Sequence, residues 1–409
     1  MTASQYPADG PEVPSASTNF RLRLFALWLC GFCPFLAVYA TQPLLPLLAS
    51  TFSASVAAVS VTITATTFAV AITAPFIGLL ADAIGRKLVI VVATFGLAVP
   101  MALAATSTSL DQLVMWRFAQ GLFIPGIFSV ALAYLGEEWA GKNIGLATSA
   151  YISGNVFGSV SGRVVSGFVA TYAGWHASFL VLAVLILLGG VGVWALLQPS
   201  KNFVRQSDLQ IGLRAMAQHL TNRHILAVCA IGFNTLFVFV GVFTYVTFHL
   251  AAPPFSLSVV ALGSMFLLNL FGAVVTPFAG RWMDKVGARM GLIAALLTAG
   301  AGAALTLMPN LPIVFVGLAL VSVGVFVGNS AASSRLGKVA GKAKSSAAGL
   351  YVFSYYAGGS VGAFAPGFAY AAGGWPACVV LILAVMGVSG FIALRAWRTD
   401  GVGPARDSA

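Results

Sequence analysis

Two arginines, Arg117 and Arg163, stand inside long apolar stretches of this chain. A guanidinium at the centre of an apolar helix in a bilayer costs ~2.5–3.5 kcal/mol, so such a residue faces a bundle interior or a water-filled cavity. Each has polar company at helical spacing. Arg117, Gln120 and Gly121 fall at i, i+3 and i+4, on one helix face. Tyr151, Asn155, Ser159 and Arg163 recur every four residues and share another face. Gly154, Gly158 and Gly162 form a stripe about 100° further round. The glycine stripe suits close approach of a neighbouring helix. The polar stripe suits a cavity that takes a solute. The alternative for Arg117 is a structural tie to backbone carbonyls or to Asp111.

No Asp or Glu lies at the depth of these arginines. Asp82, Glu137, Glu138 and Asp284 flank the apolar stretches, and Asp111 sits near the end of one. Proton exchange would need an Asp111–Arg117 pair, a flanking carboxylate, or His249. Two buried cations also favour an anionic or neutral ligand over a cationic one. No catalytic constellation is visible: no phosphate-cradling glycine loop, no nucleophile–base pair and no metal-ligand cluster. His176, His219, His224 and His249 are far apart. The chain reads as no enzyme, with no cofactor and no metal. Cys30 and Cys33 have C-x-x-C spacing, but with Cys229 and Cys378 they sit in or beside apolar runs and read as small buried hydrophobes.

The elements that position these residues follow from composition. Of 409 residues, 59% are hydrophobic and 8% charged, against about 25% charged in soluble domains. The bilayer is therefore a partner of this chain. The net charge of +11 is spread in small clusters between apolar runs, which argues against nucleic acid.

A span needs ~20 apolar residues, and twelve segments qualify: 24–48, 56–80, 88–106, 110–134, 144–170, 175–197, 224–249, 256–280, 289–308, 312–334, 345–370 and 375–396. The expected fold is all-α and integral to the membrane, with twelve transmembrane helices in two six-helix halves. Residues 1–20 are expected to be a disordered tail, 21–197 one bundle, 198–223 a cytoplasmic linker, 224–398 the second bundle and 399–409 a short tail. With the N-terminus inside, 19 of the 21 basic residues fall in cytoplasmic segments and two, Arg117 and Arg163, lie within spans. The positive-inside rule then places both termini in the cytoplasm.

A repeat supports the two halves. Gly78, Asp82, Gly85 and the basic Lys87, which follows Arg86, recur 202 residues later as Gly280, Asp284, Gly287 and Arg289. Gly358 and Gly362 in span eleven echo Gly154 and Gly158 in span five. Parallel six-span repeats are the pattern of one transporter architecture, with a site near the midplane between the halves. Natural lining residues are Tyr39 and Gln42 of span one, Asn234, Gly241 and Tyr245 of span seven, Asn269 and Asn329 of spans eight and ten, and Tyr351 and Tyr355 of span eleven. The phenylalanines, spread through the spans, read as lipid and packing surface.

The 78–87 segment resembles the signature loop of the major facilitator superfamily, G-x-x-x-D-x-x-G-R-K, with Ala83 where that pattern carries a basic residue. Arg117 to Gly121 is similar to the family's R-x-x-Q-G element. The 154–162 glycines resemble the glycine-rich element of the drug:H+ antiporter branch, with Ser159 where a proline is usual. Strings such as Tyr39-Ala-Thr-Gln42-Pro43 and Leu350-Tyr351-Val-Phe-Ser-Tyr355 look like bacterial inner-membrane transport proteins of the YnfM type. The resemblance implies a secondary carrier of a small organic solute in the bacterial inner membrane, monomeric and working by alternating access. It implies proton-driven efflux, with uptake or facilitated movement of an anionic metabolite as the alternative. A receptor or channel is the rival from another class. It further implies that the loop residues latch the cytoplasmic helix ends: Arg86 and Lys87 toward Glu137 and Glu138, and Asp284 toward Arg335.

Overall fold

The computed structural model describes residues 18–139, 143–200, 219–340 and 344–397, and every regular element among them is helical. Among the described residues, ten helices are long and apolar enough to cross a membrane. One of them, Ile144–Leu196, has 53 residues. At 1.5 Å per residue that is about 80 Å, far more than the ~30 Å of a hydrocarbon core. It turns at Gly174, whose φ of 82° lies outside the helical region, so 144–173 and 175–196 are spans five and six. Gly373 and Gly374 likewise interrupt Pro366–Ala396. The part before them continues Lys344–Phe364 as span eleven, and 375–396 is span twelve. With these divisions the described chain crosses twelve times.

Spans two, three and four are Val56–Ile84, Arg86–Ala104 and Leu110–Glu138. Spans seven, nine and ten are Arg223–Ala251, Ala288–Leu305 and Leu311–Val339. Two spans are broken where the apolar runs of 24–48 and 256–280 indicate continuity. Span one runs Thr18–Val38 and resumes as a 3-10 turn, Gln42–Leu44, and a short helix, Leu45–Thr51. Pro43 and Pro46 each stand in the first turn of a new element, where a missing N–H costs least. Span eight is split by a 3-10 turn, Met265–Leu268, between Val259–Ser264 and Asn269–Val286. The first helix opens inside the expected tail, at Thr18. Residues 1–17, most of the expected linker (201–218) and the C-terminal tail lie outside the described residues.

The halves repeat each other in detail. Spans two, four, eight and ten all begin on one face, capped by Ser55, Ser109, Ser258 and Asn310, whose side chains accept from Ala58, Gln112, Ala261 and Ile313 N–H. On the opposite face, which we call the basic face, Gly85 (φ 104°, ψ 142°) and Gly287 (φ 86°, ψ 155°) make the same reversal. A side chain with a Cβ adopts that backbone only under strain.

Glycine sets the packing within each half. A Cβ at Gly154, Gly158 or Gly162 would come under 3.0 Å from the carbonyl oxygen of Trp28, Phe32 or Leu36 of span one. Gly358 and Gly362 meet Phe233 and Phe237 of span seven in the same way, and Gly121 meets Thr66 of span two. Between the halves, span two lies on span eleven and span five on span eight.

Candidate functional site

The seam between the halves is shut away from the basic face. Thr64 Oγ1 donates to the Ser360 carbonyl at 3.4 Å, and Ser360 Oγ donates to the Thr64 carbonyl at 3.3 Å. Gly167 and Gly263 let the backbones of spans five and eight touch. Toward the basic face the halves part. A cavity of about 320 Å³ lies between span two (Ala74, Gly78, Asp82), span four (Phe128, Ser129) and span eleven (Gly349, Val352). At its deep end the Phe128 and Tyr356 rings meet across the seam at 5.7 Å.

Arg163 sits in the closed part of the seam with no exposed surface. Its Nε donates to Gln42 Oε1 at 2.7 Å, and its Nη1 donates to Ser159 O at 2.8 Å and Ser159 Oγ at 2.6 Å. Its Cζ lies 4.8 Å from the Tyr39 ring centroid and 4.6 Å from that of Phe266. Phe239 completes the box at 6.0 Å. Nη2 is buried without a hydrogen-bond partner. Gln42 then donates to Thr244 Oγ1 of span seven at 3.1 Å, a buried bond between the halves. So Tyr39, Gln42 and Arg163 come together, and span one reaches the seam because it is broken just before Gln42. Thr244, Phe239 and Phe266 complete the site and were not legible beforehand. Phe239 and Phe266 are buried against a cation, not spread over lipid-facing surface.

Arg117 has a different task. Its Nη1 donates to Ala37 O at 2.9 Å and its Nη2 to Val38 O at 2.6 Å. These are the last carbonyls of the Thr18–Val38 helix, which have no intrahelical partner. Nη1 also donates to Gln120, whose Nε2 bonds Pro100 O at 3.1 Å. Arg117 therefore ties spans one, three and four. Asp111 lies exposed in the first turn of span four, and Arg117 is occupied elsewhere.

Other expected lining residues are internal ties. Tyr151 donates to Phe128 O at 2.8 Å. The Asn155 amide, oriented by its neighbours, reaches the Gly31 and Tyr151 carbonyls at 3.3 Å. In the second half Asn234 donates to Ser389 Oγ at 2.9 Å, Tyr351 to Asn329 Oδ1 at 2.7 Å and Tyr245 to Ala363 O at 2.7 Å. Gly241 faces Gly362 across spans seven and eleven. Tyr355 stacks on Tyr351 with centroids 5.9 Å apart. His249 lies away from the basic face, beside Phe255 and Trp375. Asn269 is the exception: it is 3% exposed, and neither amide atom has a partner.

At the basic face, Arg86 holds two carboxylates. Its Nη2 is 2.5 Å from Asp82 and 2.7 Å from Glu137, and its Nε donates to Glu137 Oε2 at 3.2 Å. Such paired contacts fix geometry as well as charge. Lys87 lines a neighbouring groove with Trp194, and Glu138 is half-buried. In the repeat, Asp284 is exposed, Arg289 is half-buried, and Arg335 is buried with its Cζ 5.7 Å from the Trp397 ring centroid. Gly78 and Gly280 have open space where a Cβ would stand.

Two repeated six-span bundles, closed on each other at one face and parted at the other, define an alternating-access membrane carrier. Residues 27–275 and 225–408 match the family model described as Major Facilitator Superfamily, and the chain belongs to that family. It is 33% identical to the MFS-type transporter YybF of Bacillus subtilis (strain 168) over 91% of this chain and 94% of that one. It is 31% identical to the inner membrane transport protein YnfM of Escherichia coli (strain K12) over 93% and 89%. The fold matches a bacterial homologue of the human lysosomal transporter Spinster, solved inward-facing and occupied, with a TM-score of 0.73, 15% identity and coverage of 94% and 98%.

Proposed function

We propose that this chain exports a small organic solute across the bacterial inner membrane, in exchange for protons. The observation that carries the proposal is the asymmetry of the seam: sealed at Thr64–Ser360 and open between spans two, four and eleven. With the basic face in the cytoplasm, as positive charge in its loops favours, the resting carrier loads from inside. Asp82 and Glu137, held against Arg86 on the loading face, supply carboxylates that can exchange protons as the helix ends separate. The protein works as a monomer, since each chain carries both halves of the seam.

Purified protein in proteoliposomes tests this. With an imposed pH gradient and a panel of anionic, neutral and cationic solutes, at least one solute should show counterflow that follows the gradient. Counterflow that ignores pH removes the proton exchange and leaves the carrier. No counterflow of any solute removes the transport reading.

A further inference from the structure

We infer that Arg163 is an anion-binding site: it takes the oxyanion of an apolar small molecule, a carboxylate or phosphate, and in doing so releases Gln42 from one of the bonds that hold the halves together. The inference rests on the transport reading above and names the class of solute.

The first ground is charge. All ten Asp and Glu residues lie at span ends or outside the spans. Among the described residues, Arg163 therefore has neutral hydrogen-bond partners only, Gln42 and Ser159. A buried cation that lacks a counter-ion is held at a high cost, which a desolvated anion removes. The rings of Tyr39 and Phe266 offset part of it through their π faces, yet they leave the edge of the guanidinium available. Arg117 shows the contrast, since both of its terminal nitrogens are satisfied by carbonyls.

The second ground is the fork. A guanidinium binds a planar oxyanion through two parallel N–H bonds. In Arg163 the Nε–Nη2 edge carries one neutral oxygen, Gln42 Oε1, on Nε, and nothing on Nη2. Gln42 thus fills half of a bidentate site. A carboxylate or phosphate that takes both nitrogens displaces the Gln42 amide oxygen. The same Gln42 side chain donates to Thr244 across the seam, so the displaced amide loses the arrangement that makes this bond.

The third ground is the surroundings. Tyr39, Phe239 and Phe266 suit an apolar or aromatic body attached to the anion. Three residues beyond Phe266, Asn269 holds both amide atoms buried without partners, a second polar group fit for a ligand. The site is enclosed in this conformation, and an oxyanion loaded through the basic-face cavity reaches it as the seam begins to part.

The test uses full-length protein purified in detergent. Thermal unfolding is followed with benzoate and phenyl phosphate, and with benzamide and benzylamine as neutral and cationic controls. Both anions should raise the melting temperature saturably, and the controls should not. Arg163→Gln should weaken the apparent anion affinity at least about tenfold. Because that variant could fail to fold, Gln42→Glu provides a second arm: it gives Arg163 a resident carboxylate and should abolish the anion response in a protein at least as stable as the parent. No response to either anion overturns the proposal, as does an equal response to benzamide or one that survives Gln42→Glu. The proteoliposome panel separates the two readings. Counterflow without an anion response sinks the anion site alone, and an anion response without counterflow sinks the transport reading alone.

Discussion

Arg117 and Arg163 are the same residue type at similar depth, and their neighbours give them opposite roles. Arg117 closes the end of a helix and is saturated. Replacement by Lys keeps the charge but loses the planar fork that holds the Ala37 and Val38 carbonyls together, and a hydrogen bond to a charged group is worth about 1.5–3 kcal/mol. Arg117→Lys should lower stability by about that much in a detergent melt. An unchanged melt would show that the tie is dispensable. At the basic face, Asp82→Asn keeps the shape of the Asp82–Arg86 contact and removes its charge. Since the pair is partly solvated, the stability change should stay under about 1 kcal/mol. Transport should fall well below that of the parent while insertion is normal, and near-normal transport would remove the latch. Both arginines were visible in the sequence because a charge inside an apolar run is conspicuous. Thr244, Phe239 and Phe266 were not, because threonines and phenylalanines recur throughout the spans and only the meeting of spans five, seven and eight singles these out.

At the scale of the helix, glycine spacing was the most readable feature. The stripes at 154, 158, 162 and at 358, 362 announced backbone contact, and they have it against spans one and seven. Gly158→Leu and Gly358→Leu should each cost at least about 1–3 kcal/mol, the usual penalty of overfilling a packed contact. The check is the yield of folded, monodisperse protein, and a normal yield from either would contradict the contact. The breaks in spans one and eight were harder to foresee. Pro43 and Pro46 do mark the first, but an apolar run of 24–48 hides a turn whose groups are satisfied by tertiary contacts such as Arg117. Nothing in the run of 256–280 signals the 3-10 turn at Met265–Leu268.

For the whole molecule, the repeat gave the two halves and the crossings, while the seam between them needed coordinates, since residues 296 positions apart meet there. A Thr64→Cys/Ser360→Cys pair should cross-link on oxidation, fix the sealed face shut and stop counterflow. A thiol introduced at Ser129 should stay reactive toward a maleimide in the locked protein, because the basic-face cavity remains open. Loss of that reactivity would refute the rocking of one half against the other. The native cysteines are buried and leave the readout clean.

The walls of that cavity are made largely of small side chains: Ala74, Gly78, Ser129, Ala133, Ala348 and Gly349. At Gly78 an added side chain touches nothing in the conformation the protein rests in, because open space lies beside it. Such a change would pass every cellular check on folding and insertion. Its cost would fall on the return stroke alone, when the walls close. Natural selection can therefore keep this surface smooth only through turnover, and variants that arise there should be abundant, well-inserted and slow.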